Sequence, residues 1–114
     1  MAVDLQQIAD QGCASLQTAI DKLNALKRQP GANIPAIVLQ VEQLQDQQDE
    51  LRIQVLEEVE ESPENAAAIA AVNAAADGLS REAGNIATVA TALATAARVL
   101  NYAADLVSTL AVFA

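Results

Sequence analysis

The sequence predicts an all-α fold, an antiparallel helical hairpin followed by a long C-terminal helix, and three observations predict it. Apolar residues make up 53% of the chain but aromatics only 2%, so Ala, Leu, Val and Ile must form the core. Those residues recur in steps of three and four, the spacing of one helix face. The Pro- and Gly-bearing stretches are short and few, which leaves room for little besides helices. Such a chain is expected to form a three- or four-helix bundle of coiled-coil character, as a single domain over residues 1–114 and as an oligomer.

Helix 1 is expected at about residues 4–28. Asp4 stands as N-cap, Gln7 three residues on completes a capping box, and Val3 and Ile8 occupy the two positions of a hydrophobic staple. Leu5, Ile8, Gly12, Leu16, Ala19, Leu23 and Leu26 form its apolar stripe, widened by Ile20. Lys27 and Arg28 suit the negative end of the helix dipole. The segment QPGANIP then breaks the helix, giving a loop at 29–34.

Helix 2 is expected at about residues 35–61. Its heptad seam is Ile37, Val41, Leu44, Gln48, Leu51 and Val55, with Gln48 as one polar intruder and Val38, Leu56 and Val59 broadening the face. Ser62, Pro63 and Glu64 then read as N-cap, first helical residue and first-turn acid of helix 3.

Helix 3 is expected over about 63–113. Ile69, Val72, Ala76, Leu79, Ala83, Ile86, Ala90, Leu93, Ala97, Leu100, Ala104, Val107 and Ala111 step by three or four throughout. A mostly polar row, from Asp77 through Arg81, Thr88, Arg98 and Tyr102 to Thr109, keeps the same stepping on another face. That unbroken phase favours one helix roughly 75 Å long at 1.5 Å per residue, about half of it beyond the reach of the first two helices. The alternative is a break at Gly78, where Asp77-Gly78 resembles a stop and Ser80 a new cap, completing a four-helix bundle.

Composition limits the chemistry. A net charge of −9 opposes nucleic-acid binding. With no histidine, the familiar Ser/His/Asp and Cys/His systems and His-containing metal sites are excluded. Gly12, Gly31, Gly78 and Gly84 are isolated, so there is no Gly-rich phosphate loop. The expectation is a protein that is no enzyme and needs no cofactor or metal. Cys13 reads as a small buried residue, and the lone thiol and unsignalled N-terminal segment give the cytoplasm as default compartment, with signal-less secretion as the alternative.

Residues 83–114 carry only Arg98 and Asp105 as charged side chains after Glu82. An apolar surface of that extent marks an interaction site. The expected interface is Leu93, Ala97, Leu100, Ala104, Leu106, Val107, Leu110 and Phe113, covered by another copy or by a helical protein partner. A less favoured reading is a membrane-active protein of pore-forming or translocator type, whose C-terminal helix enters lipid; Arg98 opposes a constitutive span. A third is a small acidic inhibitor or immunity-type protein that uses Glu57, Glu58, Glu60, Glu61 and Glu64 against a basic partner, although charge runs are commonly solvated corners. Arg98 and Asp105 are candidates for pairing with a neighbouring helix or copy.

Overall fold

The computed structural model describes residues 2–114, and in it Asp4 begins the first helix by accepting a 3.1 Å hydrogen bond from the Gln7 amide. That helix, α1, spans Leu5–Leu26, with Leu5, Ala9, Gly12, Leu16, Ala19, Ile20 and Leu23 buried. Asn33 caps α2, Ile34–Ile53, by accepting from Ala36 N at 3.2 Å, and Gly31 turns the preceding loop with a φ of 81°. Ile37, Val41, Leu44, Gln48 and Leu51 of the expected seam are all buried in α2.

Helix 2 ends eight residues before the expected Glu61. Gln54 is already extended, and residues 58–60 form a strand, β2 (Glu58–Glu60), antiparallel to β1 (Ala2–Asp4), with Val3 opposite Val59. The physical reason lies in the charges: Glu57, Glu58, Glu60 and Glu61 would crowd the negative end of a longer helix. In the extended chain Glu58 and Glu60 point outward and Val59 inward. Val55 leaves the seam for solvent at 82% exposure, while Leu56 is buried.

The start of the next helix is also corrected. Ser62 to Asn65 form a turn, in which Asn65 Oδ1 accepts from Ser62 N at 2.7 Å and Asn65 Nδ2 donates to Glu60 O at 2.9 Å. Pro63 and Glu64 therefore lie before α3, which spans Ala66–Gly84. The long helix is not continuous, and Gly78 is not its break: Gly78 is buried inside α3, and the chain turns at 85–88 before α4, Val89–Ala111. Lys22 Nζ donates to Gly84 O at 3.2 Å, placing a cation at the negative end of α3.

The result is two antiparallel hairpins, α1–α2 and α3–α4, packed into a four-helix bundle. Lys22 on Gly84 fixes α1 parallel to α3, and Gln54 Nε2 donating to Val107 O at 3.1 Å fixes α2 parallel to α4. At 51 × 21 × 16 Å the bundle is shorter than the expected third helix alone. The helices converge at Gly12, where an added Cβ would lie 2.7 Å from Leu106 Cδ2 and 3.2 Å from Leu51 Cδ1, with Leu79 Cδ2 at 3.8 Å. That glycine lets α4 approach α1 across the bundle diagonal.

Gln48 is the polar member of this core. At 3% exposure its Nε2 donates to Cys13 O at 3.0 Å and to Gln17 Oε1 at 3.1 Å, tying α2 to α1.

Candidate interaction surface

The break at 85–88 resets the face that α4 turns inward. Ala92, Thr95, Ala96, Val99, Ala103, Leu106 and Leu110 are buried, a row set one residue back from the expected Leu93, Ala97, Leu100, Ala104 and Val107. Of the eight expected interface residues, Leu106 and Leu110 are fully buried within one copy. Leu93, Leu100, Val107 and Phe113 are partly buried against the core, and Ala97 and Ala104 are exposed.

These residues do not form one surface. Leu93, Ala97, Leu100, Ala104 and Val107 follow helical spacing along the edge of α4 that meets α2, where Gln54 reaches Val107 O. Leu106 and Leu110 belong to the interior. The expected uncovered helix is therefore reduced to a ridge of half-covered aliphatic groups separated by bare alanines.

The opposite edge of α4 meets α3 and is polar. Arg98 Nε donates to Glu82 Oε2 at 3.0 Å, and its Nη2 donates to Thr95 Oγ1 at 3.1 Å. Arg98 thus finds its partner on a neighbouring helix of the same copy. Tyr102 lies against Gly78, with the Arg81 guanidinium 5.7 Å from its ring centroid and Arg81 Nη2 donating to its hydroxyl at 3.1 Å. Asp105 has no ion pair among the described residues. Beside it an open cavity of about 320 Å³ lies over Ala71, Ala74 and Ala75, and one of about 300 Å³ lies between α1 and α3 over Gly12, Ser15, Ala76 and Ser80.

Glu57, Glu58, Glu60, Glu61 and Glu64 are all exposed, on the connection between the hairpins rather than at a helix end. Among the described residues, no three acidic or Cys side chains converge into a group able to hold a metal ion. Cys13 is partly buried and its Sγ donates to Gln48 O at 3.7 Å. Burial pushes the thiol up, Arg52 opposes that shift, and Asp10 and Asp49 add to it.

Other apolar groups are exposed away from this ridge, Val38 and Val55 of the expected helix 2 face among them. Ile34, Val38 and Leu39 emerge near the start of α2, and Ile53, Val55 and Val112 at 70%, 82% and 73% exposure near the ends of α2 and α4. Ile53 lies on the side of α2 opposite Leu51, and Val55, expected in the seam, is exposed because α2 stops at Ile53. Among the described residues no helix is long and apolar enough to cross a membrane. Comparisons with protein-family models, curated proteins and solved structures give no match.

Proposed function

We propose that this chain is a non-enzymatic interaction protein that self-associates, or seats a helical partner, along the outward side of α4. The observation that carries the reading is the uncharged ridge of Leu93, Leu100 and Val107, each only partly covered, with Ala97 and Ala104 exposed between them. Small residues between larger ones admit a second helix at short distance, and covering the ridge removes apolar area from water. The absence of histidine from the sequence and the upward shift of the Cys13 thiol support a non-enzymatic role.

Molar mass in solution tests this, measured by light scattering from micromolar to several hundred micromolar protein. A mass rising to a multiple of 11.9 kDa, and returning to one copy in Leu100→Glu, is the expected result. One-copy mass at every concentration overturns self-association. Release of dye trapped in anionic vesicles would favour a membrane-active role instead.

A second reading, an acidic protein that masks a basic partner, draws on the exposure of all five carboxylates from Glu57 to Glu64. Its complex would weaken steeply with added salt, whereas an aliphatic ridge would not.

A further inference from the structure

The edge of α4 that faces α3 carries a feature distinct from the aliphatic ridge. Ala71, Ala74 and Ala75 floor the open cavity of about 320 Å³, and Tyr102, Asp105, Ser108 and Thr109 wall it. The hydroxyl of Thr109 is turned to its own helix, donating to Asp105 O at 2.8 Å and Leu106 O at 3.2 Å. The Tyr102 hydroxyl is held by Arg81. Both basic residues of this edge are engaged, Arg81 on Tyr102 and Arg98 on Glu82. Asp105 therefore stands at an apolar cavity with no cation beside it among the described residues.

We infer that this cavity receives one arginine or lysine side chain from a protein partner. An alanine floor suits the methylene stem of such a side chain, and a carboxylate at the rim suits its charged head. An anion would meet Asp105 and the chain's net charge of −9, and a neutral apolar group would bury the carboxylate uncompensated. Val112, 73% exposed and seven residues beyond Asp105 at the C-cap of α4, extends the edge as an apolar contact. The partner that fits both is a basic amphipathic helix whose cation and apolar side chain lie about two turns apart. The inference rests on the reading of the chain as an interaction protein, but its test requires no partner protein.

The probe is n-butylguanidinium, titrated to tens of millimolar into the full chain with the alanine methyls observed by NMR. Saturating shifts at Ala71, Ala74 and Ala75 and at the Tyr102 ring are expected, and n-butanol should not reproduce them. Asp105→Asn should weaken the fitted affinity by about 1.4-fold to fivefold, the range of one solvent-exposed charge pair. Ala74→Leu, which fills the floor while retaining the charge, should abolish the saturating shifts. Shifts spread evenly over the acidic surface, equal response to n-butanol, or unchanged affinity in Asp105→Asn each overturn the inference. Self-association is read separately as mass, so a one-copy mass with an intact titration removes the ridge and keeps the cavity.

Discussion

Gly78 of α3 lies so close beneath Tyr102 of α4 that a Cβ built on it would overlap the ring at Cε1, Cδ1 and Cζ. The ring is held in place by Arg81 at its hydroxyl, so it cannot swing aside without losing that bond. Gly78→Ala gains up to about 1 kcal/mol of helix propensity, and overpacking of this kind costs about 1–3 kcal/mol. The net expected effect is a loss of stability of up to about 2 kcal/mol, read from urea unfolding. In a Tyr102→Ala background the same substitution should be neutral or stabilising. A stabilising effect in the wild-type background would show that the ring yields freely.

Gln48 separates two kinds of loss. Gln48→Ala removes its bonds and leaves a void among Leu44, Leu51 and α1, for an expected cost of about 2 kcal/mol. Gln48→Leu keeps the volume, and the Cys13 carbonyl retains its place in the helix ladder, so stability should change by less than about 1 kcal/mol. Chemical denaturation of the pair checks this. Equal losses would mean that the hydrogen bonds, rather than the filled space, hold α2 to α1 here.

The Arg98 and Glu82 pair predicts a salt-dependent contribution. Arg98 is 54% exposed and Glu82 13%, so solvent screens one end of the contact only. Arg98→Ala should cost about 0.5–1 kcal/mol at low ionic strength, with a smaller difference from wild type in 1 M salt. Thermal unfolding at both ionic strengths measures it.

Cys13 gives a pH dependence of defined sign. Its folded-state thiol is raised by burial, so the folded chain keeps its proton where the unfolded chain has begun to lose it. The contribution to stability is complete below the unfolded thiol's ordinary pKa and is lost as pH rises through the raised folded value. Cys13→Ala should flatten stability against pH in the alkaline range relative to wild type. Disulfide-exchange reagents should also react slowly with the folded chain and faster in denaturant.

Helix existence was legible in this sequence because Leu5, Leu16, Leu23, Ile37, Leu44 and Leu51 each sit on a single apolar stripe with polar neighbours. The fourth helix was not, because α4 carries two apolar rows one residue apart, Ala92 to Leu110 and Leu93 to Ala111. Periodicity alone cannot choose between such rows. The turn at 85–88 keeps Ile86 buried at 2% exposure, so the hydrophobic phase runs through the break without interruption. The true boundary carries only Gly84 and Asn85 at the end of α3 and Thr88 as the N-cap of α4, whereas Asp77-Gly78 resembles a stop and is interior helix.

The expected interface suffered most from this one-residue shift. Leu106 and Leu110 became core, and Leu93, Leu100 and Val107 became margin. Asp105 and the alanines of α3 carry no pattern that marks a cavity, since their meeting depends on how α3 and α4 run antiparallel. The small sheet was legible in principle: Glu58, Val59 and Glu60 alternate as a strand does, but the preceding heptad masked three residues of alternation.

The pairing of β1 with β2 sets an order on assembly. Each helical hairpin closes over a short connection, but Val3 must meet Val59 across most of the first half of the chain, and that closure carries a larger entropic cost for three residue pairs of ladder. The clasp should thus form after the hairpins have docked and be the earliest contact to open, with amide protons of Val3 and Val59 exchanging well before those of mid-α1. Slackening it would loosen the tie between one hairpin and the connection to the other while leaving both hairpins intact.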